Sequence, residues 1–196
     1  KGKFFYLYLI IDVFSRKIVG RAVHDSESDL HAAVLIAVAC AAEGVERGQL
    51  VIHSDNGHPM KGATMLATLR DLGVAVSFSR PGVSDDNPYV EALFRPLKCR
   101  PTYPSSPFCS LQSALAWVDQ FIARYNGVHI HSAISFVTPG QRHAGADTAI
   151  LERRRRVYEE ARSRHPERWA RTARSWSRIE VVYLNPKKRS TAEAAA

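Results

Sequence analysis

The sequence predicts a mixed α/β domain with a basic helical extension. Three observations carry that expectation. The chain opens on a continuous apolar run, stretches of helical apolar spacing alternate with short β-branched runs as far as residue 126, and residues 151–196 are rich in Arg and poor in apolar side chains.

The elements follow in order. Residues 4–12 are apolar, aromatic and β-branched and predict a buried strand, with residues 17–24 as its hairpin partner across the turn Asp12-Val13-Phe14-Ser15-Arg16. Ser26 with Asp29 three positions on reads as a capping box, opening a helix that runs to Ala42 with Gly44 as its stop. Residues 50–54 predict a short strand. Met65, Leu66, Leu69 and Leu72 recur at helical spacing, so residues 60–72 predict a helix ended by Gly73, followed by a strand over 74–78. A loop rich in Ser, Gly, Asp and Pro leads into a helix over 89–98. After a Pro-broken stretch, residues 110–126 predict an amphipathic helix with Leu111, Leu115, Val118, Phe121 and Ile122 facing inward. Residues 153–173 predict an Arg/Glu helix outside the core, and 179–184 a last strand.

Composition narrows the function classes. A chain of 196 residues with 45% apolar residues can bury a core and carry an appendage. No run approaches the roughly 18 consecutive apolar residues of a membrane span, and the start lacks a signal-peptide pattern, so a cytoplasmic protein is expected. Cys40, Cys99 and Cys109 are spaced for neither a disulfide framework nor a zinc cluster. The net charge of +8 is unevenly placed: residues 1–150 hold 14 Lys/Arg and 13 Asp/Glu, residues 151–196 hold 13 and 6. That basic segment suits a nucleic acid, with a solvated helix face as the alternative. The chain opens without Met and directly in a strand-like run, which raises the expectation of further sequence upstream.

Two acids stand where chemistry is usually placed in α/β folds. Asp55 directly follows a strand, where a side chain projects into the cleft at the strand ends; an ordinary turn Asp ahead of Asn-Gly is the alternative. Glu91 lies on the helix after the Ser/Asp/Pro loop, with 35 residues between the two. Hard carboxylate oxygens at the mouth of a rigid fold can hold the two metal ions that phosphodiester cutting and joining require. Arg95 and Lys98 fall at i+4 and i+7 from Glu91, on its face of the helix, as suits contact with DNA phosphates; routine surface salt-bridge spacing is the alternative.

These residues carry a resemblance. Ser54-Asp55-Asn56-Gly57, the spacing to Glu91, Ser84-Asp85-Asp86-Asn87-Pro88 before it and Ala92-Leu93-Phe94 after it resemble the insertion-sequence transposases of the retroviral integrase superfamily. The run from Ile11-Asp12-Val13 through Phe14-Ser15-Arg16 to Gly20 resembles their second strand and turn. Tyr125-Asn126 with His129, His131-Ser132 and Thr138-Pro139 resembles the segment that closes their catalytic domain. The resemblance covers about residues 3–145.

It implies a ribonuclease-H-like mixed sheet flanked by helices, with its first strand missing here, over residues 1–145, and a basic extension over 146–196. It implies an Asp, Asp, Glu triad holding two Mg²⁺ or Mn²⁺ ions, of which Asp55 and Glu91 match. The first Asp, on the family's first strand, has no counterpart. Asp12 is a candidate substitute but matches the position before the second-strand turn, which fits a turn-forming or supporting role. His53 is a candidate orienter of Asp55. Asn56, Asn87, Arg95 and Lys98 are candidate DNA contacts. Two positions depart from the family pattern: Pro96 inside the Glu91 helix, which predicts a lost hydrogen bond or a kink, and Ile130 where Arg is common. Trp117, Trp169 and Trp176 read as packing residues rather than base-stacking platforms. The implied function is metal-dependent hydrolysis and strand transfer on transposon ends and target DNA by a homo-oligomer, with this chain inactive for want of its third ligand. The alternative is a non-catalytic DNA-binding protein.

Overall fold

Phe5 and Leu7 alternate with Tyr6 and Tyr8, and that period of two decides which side of the first strand is covered. The structure, a computed structural model, describes residues 4–80, 86–98, 103–169 and 174–184, with backbone alone at 95 and 96. Two compact units form, Lys1–Val23 with Ser106–Val181, and His24–Ser105 with Val182–Ala196.

In the first unit β1 (Tyr6–Ile11) pairs with β2 (Ile18–His24) across a connection too short for a parallel crossover. α5 (Leu111–Gly127) covers the side that carries Phe5 and Leu7, its Ala114 and Val118 clustering with Val23 of β2. Tyr6 is exposed, so β1 is half-buried and not the fully buried strand that its apolar run predicts. On α5 the inward stripe is Ala114, Val118, Phe121 and Tyr125; Leu111 and Leu115, expected inside, are exposed. The small Ala114 brings the helix close to the strand. Ser110 closes the helix start with a capping box shared with Ser113.

Asn126 then ties helix to strand: its amide accepts from the Ile18 N–H at 3.0 Å and donates to the Ile18 carbonyl at 2.9 Å. Both main-chain groups at the start of β2 are thereby satisfied. A tight turn follows, in which Ser135 and Phe136 both hold positive φ, a conformation costing L-residues roughly 1–2 kcal/mol each. The Arg154 guanidinium donates to both carbonyls and offsets that cost.

α6 (Pro139–His143) starts on a capping box of Thr138 and Gln141, and α7 (Asp147–Arg164) continues from it. Arg142 and Asp147 are wholly buried. The Arg142 guanidinium donates to the Phe14 carbonyl (2.8 Å) and the Ile179 carbonyl (2.7 Å), and lies 4.1 Å from the centre of the Phe14 ring. Asp147 accepts from Arg178 at 2.9 Å and lies 3.7 Å from Arg142. This network holds the Arg178 side chain and the Ile179 carbonyl, and the last strand predicted over 179–184 is irregular chain here. α7 buries Leu151 and exposes most of its charged residues, as its composition predicts.

In the second unit Ser28, not Ser26, caps α1 (Asp29–Ala42), because its hydroxyl accepts from the Leu30 N–H. The Ala32, Ala33, Leu35, Ile36, Ala39 and Cys40 face is buried, and α1 packs against α3 (Ala63–Leu72). The single helix expected over 60–72 is broken in two, α2 (His58–Lys61) and α3, by extended backbone at Gly62. A Cβ at Gly62 would overlap the Asp29 side chain, whose carboxylate accepts from the Thr64 N–H at 3.1 Å. Met65 and Leu69 face inward, whereas Leu66 is exposed. Gly73 ends α3 in the left-handed conformation (φ 69°), and a Cβ there would also stand 3.0 Å from that of Arg47.

β3 (Val51–Ser54) and β4 (Ala75–Phe78) pair in parallel, His53 opposite Ser77 and Ser54 opposite Phe78. Ladder bonds from the Ala75 N–H to the Leu50 carbonyl and the Ser79 N–H to the Ser54 carbonyl extend the pair at both ends. α4 (Pro88–Lys98) follows, burying Leu93 and Leu97, and its helical backbone continues across position 96. No helix among the described residues is long and apolar enough to cross a membrane.

Two measurements check this account. Arg142→Ala leaves the Asp147 carboxylate buried beside one partner fewer, and is expected to cost about 3–5 kcal/mol in urea unfolding. Burial, aided by His129 and Arg16, pushes His131 down to about 4 from its ordinary 6.5. The unfolded chain therefore takes up a proton below about 6.5 that the folded chain refuses until about 4, so stability falls across that window as pH drops. His131→Phe is expected to flatten the fall in Tm between pH 7 and pH 4 relative to the parent chain.

Candidate functional site

The parallel β3–β4 pair brings two strand C-termini side by side, and the polar residues gather there. His53 spans the ladder: its Nδ1 lies 3.0 Å from the Ser77 hydroxyl and its Nε2 3.3 Å from the Ser79 hydroxyl. Its bonds go to β4 rather than to the Asp55 carboxylate. Asn56 donates from its side-chain amide to the Ser79 carbonyl at 2.7 Å. The expected DNA contact thus already uses a donor to hold the two strand ends together.

Asp55 is exposed between them. One carboxylate oxygen accepts from the Gly57 N–H at 3.0 Å, and a Cβ at Gly57 would stand 2.9 Å from that oxygen, so the glycine is what lets the carboxylate fold back onto the turn. Its second oxygen has no hydrogen-bond partner among the described residues.

Residue 80 ends β4's extension, and Asp86 draws the chain back toward it. Asp86 is buried; one oxygen accepts from the Arg80 N–H (2.7 Å) and Nε (3.0 Å), the other from Nη2 (2.8 Å). The expected Ser84 and Asp85 lie outside the described residues. Asn87 begins the turn into α4, its carbonyl accepting from the Glu91 N–H at 3.2 Å. Glu91 sits exposed in the first helical turn, with no ion pair among the described residues. Lys98, at the far end of α4, lies 5.8 Å from the centre of the Phe94 ring. The side chain of Arg95 lies outside the described residues.

Asp12 belongs to the other unit and is fully engaged. Its carboxylate accepts from the Phe14 and Ser15 N–H groups (3.1 Å each) and from the buried Ser15 hydroxyl, and lies 3.3 Å from His143 Nδ1. Burial pushes its pKa up, but the Ser15 hydroxyl, the two amides and His143 outweigh burial and hold it below the usual carboxylate value. Such bonding is what a turn-forming carboxylate makes.

The structure therefore places Asp55, Asn56, His53, Asn87, Glu91 and Lys98 in one unit and Asp12 in the other. Among the described residues, no three His, Cys, Asp or Glu side chains come together as a metal cluster. Asp55 and Glu91 fit hard cations in kind, with carboxylate oxygens that have no partner among the described residues, but they are two ligands. Sequence reasoning missed Asp86, whose signal was an acid one residue before Asn87-Pro88, and His143, which lacks any local signature.

A model of the Integrase core domain family matches residues 1–84, and another of the same description matches residues 72–139. The Insertion element IS136 uncharacterized protein of Agrobacterium fabrum is 30% identical over 145 residues, 71% of this chain and 74% of that protein. The chain belongs to the integrase core family found in insertion elements. The transposase for insertion sequence element IS904 of Lactococcus lactis is 32% identical over 135 residues, 68% of this chain and 53% of that one, so the chain spans about half of that relative. Among solved structures, the catalytic core domain of BIV integrase is similar at a TM-score of 0.53 and 19% identity, covering 73% of this chain and 88% of that one. The simian T-cell lymphotropic virus intasome, solved with PP2A regulatory subunit B56 gamma, gives 0.52 and 16%, over 70% and 47%. The integrase core thus has the expected ribonuclease-H-like fold.

The Asp86 clasp is open to a direct check. Asp86→Ala removes the acceptor of the Arg80 N–H, so hydrogen exchange at Arg80 is expected to speed up about tenfold or more while the Val76 and Ser77 amides keep their protection.

Proposed function

We propose that this integrase core is the catalytic part of a transposase that hydrolyses a transposon end and joins the freed 3′ hydroxyl to target DNA. The observation that carries the reading is the placement of Asp55 at the C-terminal end of β3 and of Glu91 in the first turn of α4, inside a matched integrase core. Asp55 and Glu91 would hold Mg²⁺ or Mn²⁺, and a bound ion pair there would activate the attacking oxygen and stabilise the leaving one. The Gly57 amide fixes the direction of the Asp55 carboxylate, and the His53 and Asn56 bonds to β4 keep the strand end rigid beneath it. Lys98 and Arg95, with Asn87 and Asn56, would bind DNA backbone, positioning rather than reading the duplex.

The division that goes with this is a core over residues 1–145 and a basic extension over 146–196. Joining two ends calls for at least two subunits, so a homo-oligomer on DNA is proposed, working in the cytoplasm. Two carboxylates hold a pair of ions poorly, and the reading therefore assigns this chain by itself little or no activity. One observation favours a second reading, a DNA-binding protein without catalysis: residues 151–196 hold 13 Lys/Arg against 6 Asp/Glu, a charge that suits DNA whether or not the core cuts it.

The test is Mn²⁺-dependent nicking and joining of a labelled duplex by this chain and by a version extended upstream with a relative's first strand. The extended chain is expected to cut and join, and Glu91→Gln or Asp55→Asn to reduce that by at least about a hundredfold. Binding without cleavage in both chains would move the assignment to the second reading.

A further inference from the structure

α7 sets Arg155, Tyr158, Glu159 and Arg162 at i, i+3, i+4 and i+7, on one face of the helix. Residues 174–177 run beside that face, and the two together line a groove of about 290 Å³. Arg174 and Trp176 stand on its second wall. The Trp176 ring meets Tyr158 edge to face, with centroids 5.1 Å apart at 73°, and the Arg174 guanidinium lies 5.8 Å from the Trp176 ring centre. Trp176 also packs against the small core of Ile134, Val137 and Leu151, which anchors the platform.

The charges are not balanced within the groove. Three guanidinium groups face one carboxylate. Glu159 is 4.0 Å from Arg155, a loose exposed pair, and Glu160 is taken by Arg164, whereas Arg162 has no ion pair among the described residues. A helix whose acids and bases cancelled would read as a solvated face; this one leaves cations beside aromatic rings. That combination suits a polyanion carrying flat rings.

We propose that this groove binds single-stranded DNA, with a base against Tyr158 and Trp176, which then serves as a platform as well as the packing residue that the sequence predicts, and the adjoining phosphates over Arg155, Arg162 and Arg174. The inference rests on the reading of the chain as a DNA-handling protein, and deepens it by naming a strand-specific site on the extension. The groove's size selects the form of the ligand. At the small end of ligand clefts, which run about 300–1,000 Å³, it takes a single nucleotide and not a duplex. In a duplex, moreover, each base face is already covered by its neighbours. Strand cutting exposes such unpaired nucleotides, so the extension would hold an end as it frays or is freed.

The experiment is a titration of this full chain with a labelled 12-nucleotide single strand and with the matching duplex, over a salt series, following anisotropy and tryptophan emission. Arg162→Ala with Arg174→Ala, both at exposed positions, is compared with Arg70→Ala and Arg124→Ala, which remove equal charge elsewhere. Far-UV circular dichroism and Tm verify folding. The groove double variant is expected to weaken single-strand binding about tenfold and to lower the slope of log K against log salt by about 1.4, from roughly 0.7 per phosphate contact. The control pair is expected to change single-strand binding less than threefold, and duplex binding to drop no more in the groove variant than in the control. Trp176→Phe is expected to keep most of the affinity while losing most of the emission quench. Unchanged single-strand affinity and slope in the groove variant, or equal losses for strand and duplex, would overturn the groove while leaving the DNA-handling reading intact. Failure of the parent chain to bind either DNA would overturn both.

Discussion

The parallel pairing of β3 and β4 is the constraint on which the candidate site depends. Parallel neighbours must be joined by a crossover, here α2 and α3, and the crossover returns the chain so that both strands end at the same edge. Asp55 leaves one strand end and the chain leading to α4 leaves the other. Several polar bonds around the Asp55 turn serve that edge: His53 to Ser77 and Ser79, Asn56 to the Ser79 carbonyl, Asp86 to Arg80. In the proposed metal-holding role the Asp55 carboxylate would need a backbone that does not yield when charge arrives, and these bonds stiffen the strand end beneath it.

The first unit is held differently. Where β3 and β4 rely on a ladder, Lys1–Val23 and Ser106–Val181 are tied by side chains that reach main-chain carbonyls: Asn126 at Ile18, Arg142 at Phe14 and Ile179, Arg154 at Ser135 and Phe136. Arg142 is buried and Arg154 half-buried, and both satisfy oxygens that a turn would otherwise leave bare. The Asp12 cluster belongs to this scaffolding, since the same turn that gives Phe14 to Arg142 is closed by the Asp12 carboxylate.

Strand and helix identities were legible because periodicity survives in short windows: the β3 and β4 runs, the α5 stripe around Val118 and Phe121, and the Glu91 helix all stand where their spacing put them. Boundaries and faces were less so. Ser26 and Ser28 are equally good caps in sequence, and only the hydroxyl bond to Leu30 separates them. Leu111 and Leu115 carry the apolar signal on α5, yet the face actually buried is chosen by the small Ala114, which a hydrophobicity pattern undervalues. Asp55, Asn56 and Glu91 stand out as candidates because they lie in local strings, whereas the bonds from His53 to β4, Asp86 to Arg80 and His143 to Asp12 join residues that no local pattern links. The Tyr125-Asn126 and Thr138-Pro139 strings were legible as motifs but not as what they do, which is to clamp β2 and start α6.

The break at Gly62 has a consequence for sequence change. The Asp29 carboxylate occupies the space that any side chain at position 62 would need, and it is anchored there by the start of α3. A mutation at either position alone meets a clash or leaves a helix start uncapped. Among relatives that keep this break, positions 29 and 62 should therefore drift as a pair, and a chain that lost the glycine would regain a viable fold most readily by shortening residue 29.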